Sequence, residues 1–300
     1  MENKLVSVLV VAYNSSATIV ETLDSIYGQT YSELELIVSD DCSKDNTVEI
    51  VRDWLATHSQ RFRKAELLTA EKNTGIAANF NRAERAATGE WVKIIAGDDL
   101  LLPDCIETMA DYAGRNTDAV YVFSRMRGFG QDTKLIDYVM NNIFDYSFFK
   151  LSIPEQQKRL VFYGNCLPAP TAFYNLRKIK KMNISYDERI PLLEDLPRWL
   201  NLLNHNIRFH FIDKELVLYR FSETSLSTNA NNKKRLSRDM NLTFLYYSYP
   251  IYRKYSGRLK AWNKYTANAH LAFGGIWTIL YRTEQFFLRL LRILGIVDDK

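Results

Sequence analysis

The adjacent acids Asp98 and Asp99 stand just beyond an apolar, β-branched run, Trp91 to Ile95. Strand formation does not call for two carboxylates there, and neighbouring like charges repel unless a cation neutralises them. A divalent metal holding a diphosphate would do so, because hard cations take carboxylate and phosphate oxygens. The plainer alternative is a solvated turn, with Pro103-Asp104 opening the next helix. A second pair, Asp40-Asp41, follows the run Leu34 to Ser39, and Tyr13 closes the run that begins at Leu5. The third pair, Glu194-Asp195, opens a helical pattern with Leu196, Trp199, Leu200 and Leu203 on one stripe and Pro197 in the first turn. Acids there complement the helix dipole. Aimed into a cleft, one of them would be a general base.

Elements must bring these residues together. Segments 5–13, 34–39, 65–68, 91–95 and 119–123 read as strands. Between them, Ile19, Leu23 and Ile26 mark a helix closed by Gly28-Gln29. Asp45-Asn46-Thr47 caps another, with Val48, Val51 and Leu55 on its buried side. A third leads from Asn73-Thr74-Gly75 through Ala87. The alternation predicts an α/β fold, a mostly parallel central sheet with helices on both faces. Ligands bind such sheets at the carboxyl ends of strands, where Tyr13, Asp40-Asp41 and Asp98-Asp99 converge. Residues 125–165 are less regular and rich in aromatics. They read either as loop and helix packed on the sheet or as an acceptor-side wall or lid. Short strands are expected at 207–212 and 216–219.

A chain of 300 residues, 47% hydrophobic and 25% charged, is globular, and disorder is excluded. Three cysteines without paired spacing predict a reducing compartment, with no disulfide framework and no zinc pattern. Met1 to Lys4 run straight into a strand, so no signal peptide is expected. The whole chain carries +4, yet residues 231–300 hold 13 Lys or Arg against 4 Asp or Glu, with 13 of the 39 aromatic residues. A basic, aromatic tail on an acidic body suits an anionic surface, membrane or nucleic acid. The run Leu271 to Tyr281 is 11 residues, short of the ~20 that span a membrane. Beyond it, Arg282, Gln285, Arg289 and Arg292 form one polar stripe. The remaining apolar face is expected on the catalytic domain, on a second subunit, or at a membrane interface.

Taken in order, these pieces resemble inverting family-2 glycosyltransferases with the GT-A nucleotide-sugar fold. The resemblance covers residues 4–228. Its motifs are Val6-Ser7-Val8 through Tyr13-Asn14, Ser25 to Tyr31, Glu35 to Ser43 with Asp45-Asn46-Thr47, and Asn73-Thr74-Gly75 with Asn79. Gly89-Glu90-Trp91, Gly97-Asp98-Asp99 with Pro103, Glu194-Asp195 with Trp199, and Tyr219-Arg220 with Ser225-Leu226-Ser227 complete it. It implies a catalytic domain over 1–230 and a basic helical extension over 231–300. Tyr13 would stack on the base beside the backbone of Val11 and Ala12, and Asp41 would accept the N3–H of uracil. Asn73, Asn79, Gly97 and Asp98 would also line the donor side, Asp98 reaching the ribose or metal-bound water. Asp99 would ligate Mg2+ or Mn2+, and Asp195, with Glu194 second, would be the base. Gly97 stands where the family's Asp-X-Asp begins, and Ser222 where a His often follows Tyr-Arg-X. The implied activity is transfer of a sugar from a nucleotide diphosphate donor, UDP-linked by preference, to a saccharide acceptor. That acceptor would be lipid-linked, for O-antigen, capsule or exopolysaccharide. The enzyme would sit in the cytoplasm on the inner face of the plasma membrane, without a nucleic-acid partner and with homodimerisation open. On this reading the histidines and cysteines are structural or surface groups. Two alternatives remain. A nucleotidylyltransferase would want a Gly-rich basic signature where Ala12-Tyr13-Asn14-Ser15 stands. A non-catalytic binder of anionic surfaces or nucleic acid would use the basic tail.

Overall fold

Val6-Ser7-Val8-Leu9-Val10-Val11-Ala12 is buried at every position, as a strand covered on both faces requires. It is the first of eight strands in the computed structural model, which describes residues 4–221 and 233–273 together with Ile276, Thr278, Ile279, Tyr281, Arg282 and Gln285. The strands are β1 (Val6–Ala12), β2 (Leu34–Asp40), β3 (Lys64–Thr69), β4 (Trp91–Ala96), β5 (Leu100–Leu101), β6 (Tyr121–Gly130), β7 (Phe173–Asn175) and β8 (Phe209–Phe221). They form one sheet ordered β3-β2-β1-β4-β7-β6-β8-β5. Pairs β1/β2, β1/β4, β2/β3 and β6/β8 are parallel, and β7 runs antiparallel between β4 and β6.

The helices are α1 (Ile19–Tyr27), α2 (Thr47–His58), α3 (Ile76–Ala86), α4 (Cys105–Arg115), α5 (Thr133–Asn142), α6 (Ile153–Tyr163), α7 (Leu176–Lys181), α8 (Asp195–Asn204), α9 (Lys233–Thr243), α10 (Tyr249–Ser256) and α11 (Arg258–Phe273). Alternate strand residues feed two cores. Leu9, Val11, Val92, Ile94, Tyr121 and Phe123 pack with α3, α6 and α8. Val8, Val10, Ile95 and Val122 pack with α1, α2 and α4 on the other face. The expected fold class therefore holds, with helices on both faces and helices again at the C-terminal side.

Three local expectations change. On α2 the buried side is Thr47, Val51 and Trp54, with Val48 and Leu55 only half-buried; Trp54 offers far more surface to bury. The two short strands expected near 207–219 are one strand, β8, whose register with β6 shifts around Arg125. Residues 125–165 are regular: β6 continues to Gly130 and is followed by α5, a 3-10 turn (Tyr146–Lys150) and α6.

Anchoring of α8 decides where its acids lie. Trp199 is 1% exposed and meets the rings of Tyr121, Phe123 and Phe209 edge-on at centroid distances of 5.3, 5.2 and 6.1 Å. Beside it the buried Arg198 donates to Glu84 of α3 at 2.6 Å and lies 3.9 Å from the Tyr186 ring centroid. The C-terminal helices pack on this same body. Leu192 N–H donates to Asp239 (2.8 Å), Tyr247 donates to Asp187 (2.8 Å), and Phe162 stacks on Tyr252 at 4.9 Å. The 230/231 division of the chain falls outside the described residues.

Candidate active site

Parallel pairing puts the ends of β1, β2 and β4 at one edge: Ala12 lies opposite Asp40, and Val11 opposite Ala96. The loop after β1 turns at Asn14, which adopts φ +53°, a conformation Asn tolerates better than most residues. Asn14 N–H donates to Ser43 Oγ (2.8 Å) and its Oδ1 accepts from Lys44 N–H (2.7 Å). Ser15 and Ser16 N–H donate to Thr47 Oγ1 and Asp45 Oδ2 at 2.8 and 3.1 Å. The Asp45-Asn46-Thr47 motif thus holds the β1–α1 loop while opening α2. Tyr13 is left 46% exposed beside it.

Asp41 is 2% exposed. Its Oδ2 accepts the N–H groups of Thr74 and Gly75, both at 2.8 Å. Its Oδ1 accepts from Thr74 Oγ1 (2.6 Å) and Arg82 Nη2 (3.0 Å). A carboxylate has about four acceptor sites, so a base N–H would have to replace one of these bonds. Asn79 donates to the Ala12 carbonyl (3.3 Å) and accepts from Arg82 (2.8 Å), bracing the Val11–Ala12 backbone. Asn73 is exposed and makes no side-chain hydrogen bond among the described residues. Gly75, at φ +91°, passes so close to Pro191 that a Cβ would lie 2.6 Å from its side chain. That approach ties the start of α3 to the loop leading to Glu194.

Gly97 N–H donates to the Val11 carbonyl (2.9 Å), and its own carbonyl accepts from Thr18 Oγ1 (2.8 Å). A Cβ there would lie 3.0 Å from Ile19 and 3.1 Å from Ser15 Oγ. A side chain at this position would crowd the Ile19 and Ser15 side chains, which would have to give by a few tenths of an ångström. Asp99 is 1% exposed. Its Oδ1 accepts the Arg220 N–H (2.9 Å), and no hydrogen bond among the described residues reaches Oδ2. Burial, then Asp98, pushes the Asp99 carboxyl well above the ordinary range. Burial also raises Asp98, with the Arg220 cation opposing it. Two acids so disfavoured as anions fit a bound cation. Among the described residues no cluster of three or more His, Cys, Asp or Glu suits a metal. Asp98 and Asp99 would therefore share a divalent ion with diphosphate oxygens and water, a coordination Mg2+ commonly takes. Ser222 and the Ser225-Leu226-Ser227 motif lie outside the described residues.

Asp99, Glu194 and Asp195 open onto one cavity of about 80 Å3, closed by Pro170, Tyr186 and Trp199. Burial, reinforced by Asp195, pushes Glu194 up to about 8. Burial raises Asp195 too, but hydrogen bonds oppose it. Its Oδ1 accepts the Leu196 N–H at 2.6 Å and its Oδ2 accepts Asn165 Nδ2 at 2.5 Å. Asn165 is itself fixed, accepting the Leu167 N–H at 3.1 Å. Burial and the neighbouring acid thus favour a proton on Glu194, while the two hydrogen bonds to Asp195 favour its anion. Tyr219 also belongs to the site: burial and then the charges of Asp99, Asp98, Asp195 and Glu194 keep its phenol protonated. Asn165 was not foreseen from sequence, and Tyr219 only as part of a motif. Burial raises the thiols of Cys105 and Cys166 to about 12 and about 11, as befits packing residues.

The family model for Glycosyl transferase family 2 matches residues 7–178, more than half of the chain. The chain belongs to that family. An Escherichia coli relative, the UDP-Glc:alpha-D-GlcNAc-diphosphoundecaprenol beta-1,3-glucosyltransferase WfaP, is 26% identical over 242 residues, 80% of this chain and 85% of the relative. Among solved structures, Staphylococcus aureus TarS 1-349 with UDP-GlcNAc superposes with a TM-score of 0.63 at 19% identity, covering 88% of this chain and 79% of that one. The mannosyltransferase PcManGT of Pyrobaculum calidifontis, with GDP-Man and Mn2+, gives 0.59 at 20% identity, covering 96% and 81%. These likenesses establish the GT-A fold for this family-2 chain.

Proposed function

We propose that this family-2 glycosyltransferase moves a sugar, with inversion, from a UDP-linked donor to a saccharide acceptor in surface polysaccharide synthesis, the acceptor being lipid-linked. The observation that carries the reading is the shared cavity, where the carboxylate suited to a cation and the Glu194-Asp195 pair meet at the carboxyl ends of the parallel strands. The WfaP name, which gives a UDP-sugar donor and a diphosphoundecaprenol-linked acceptor, supports both partners.

Val11, Ala12, Tyr13, Asp41, Asn73 and Asn79 bind the nucleoside, and Gly97, Asp98 and Asp99 face the diphosphate. Asp98 and Asp99 would hold Mg2+ or Mn2+, which would supply positive charge against the leaving diphosphate. The acceptor hydroxyl oxygen forms the new bond to the anomeric carbon from the face opposite the leaving group, and the bond to the diphosphate oxygen breaks. Asp195 takes the hydroxyl proton. Glu194, protonated, remains neutral beside it and so spares Asp195 a second adjacent charge.

Release of UDP from UDP-sugars, followed with and without Mn2+, tests the reading. Asp99→Asn is expected to abolish nearly all metal-stimulated release while keeping the fold, since charge is lost without volume. Near-normal activity of that variant at limiting metal would overturn the assignment.

A further inference from the structure

A second cavity, about 660 Å3, shares no lining residue with the one above. Strand β8 connects them. Phe209, His210, Phe211 and Asp213 near its start line the groove, and its far end carries Tyr219 and Arg220 to the acids. From Phe211 to Arg220 is roughly 30 Å of strand, at about 3.3 Å per residue. A nucleotide sugar held at Asp99 would not reach the groove; an acceptor glycan occupying both would have to extend over several units.

The groove is built from aromatic rings and charges. Phe211 stacks on Phe149 at 4.6 Å and lies 5.4 Å from Tyr146. The Arg125 guanidinium sits 4.5 Å over the Tyr146 ring and is ion-paired with Asp213. Tyr112 and His210, of the same lining, meet at 3.2 Å. Lys150 and Arg208 also line it. Both are exposed, and neither makes an ion pair or hydrogen bond among the described residues.

Ring faces suit the C–H faces of pyranoses, while Asn116, Asp118 and the hydroxyl of Tyr112 suit sugar hydroxyls. Lys150 and Arg208 add two cations that form no ion pair among the described residues, the nearby Asp213 being held by Arg125. A sugar bearing a carboxylate or phosphate would pair with them. We propose that this groove binds an acid-bearing oligosaccharide segment of the acceptor glycan, remote from the end that reacts. The inference rests on the saccharide acceptor proposed above.

Calorimetry on the full-length protein tests it with three probes: hexameric oligogalacturonate, maltohexaose of equal length, and UDP. The oligogalacturonate is expected to bind about tenfold or more tighter than maltohexaose, as charge-assisted hydrogen bonds imply, and to weaken with salt. The double variant Lys150→Ala/Arg208→Ala, changed only at exposed side chains, should lose about tenfold of that affinity and leave UDP binding unchanged. The idea falls if the oligogalacturonate does not bind, if both oligosaccharides bind alike, or if the double variant binds as the parent does. A protein that ignores UDP while the groove behaves as expected would count against the donor reading and not against the groove.

Discussion

Among single residues, the division of labour within Glu194-Asp195 matters most. The two acids are adjacent, and their hydrogen bonds separate them. Asp195 is held by Asn165 and the Leu196 N–H, whereas burial and its neighbour push Glu194 up to about 8. Asp195→Asn should lower kcat by at least about 10²-fold, the usual worth of a positioned base, with UDP affinity kept. Glu194→Gln should keep most of its activity at neutral pH, because the amide imitates the protonated acid. Asn165→Ala should raise the acidic limb of the kcat profile, since the bond it loses favours the Asp195 anion. A dead Glu194→Gln beside an active Asp195→Asn would reverse the assignment. The same shift has a stability consequence. A carboxyl whose folded pKa lies above its unfolded value binds more protons folded than unfolded between the two. Its contribution is complete below about 4.5 and is lost as pH rises through about 8. The raised Asp98, Asp99 and Asp195 act in the same direction. Without metal, the melting temperature should fall between pH 5 and 8, and UDP with Mn2+ should restore more at pH 8 than at pH 6. A metal-free melting temperature that climbs across that window would contradict these shifts.

At the scale of elements, α8 delivers the base, and its seat on α3 is a buried ion pair. Glu84 accepts from Arg198 at 2.6 Å and also from the Tyr174 hydroxyl. Removing one member of such a pair costs about 3–5 kcal/mol, because the other charge stays buried, whereas replacing both by apolar groups is often neutral. Glu84→Ala should therefore lower the urea midpoint sharply, and Glu84→Leu with Arg198→Met should recover much of the loss. Equal loss in both variants would show that Glu84 acts through packing alone. Which elements could be read from sequence follows a similar logic. Strands β1, β2 and β4 are nearly continuous apolar runs because both faces are covered, and their acids were legible as misfits at strand ends. Strand β8 was not, since Asp213-Lys214-Glu215 look like a break. In the structure each is met by a cation or acid from outside the strand, Arg125, Asp104 and Arg127 respectively. Strand β7 has only three residues, too few for any periodicity. Asn165 has no local signature, because its partner lies 30 residues away in sequence.

At the scale of the molecule, the C-terminal helices carry the charge asymmetry. The described part packs inward on one side: Ile251 joins the main core, and Gln285 bonds back to Asn263 of α11 at 2.6 Å. Most of the polar stripe expected from Arg282 onward lies outside the described residues. Yet α11 and the positions just beyond it leave large apolar side chains uncovered. Trp262, Leu271, Phe273 and Ile276 are 46–69% exposed, near the exposed cations Lys260 and Lys264. No helix among the described residues is long and apolar enough to cross a membrane. Apolar groups interleaved with cations on a helix surface suit the interface of an anionic bilayer, where a lipid-linked acceptor would lie. We propose peripheral attachment to the cytoplasmic membrane face through this surface. Full-length protein should co-sediment with vesicles containing anionic lipid, less so at high salt and with neutral vesicles. Leu271→Ser/Phe273→Ser should weaken sedimentation while leaving the melting temperature nearly unchanged, since exposed substitutions usually shift stability by less than about 0.5 kcal/mol. If the parent protein ignores anionic vesicles, or if the double variant melts early, that face is covered by protein rather than lipid.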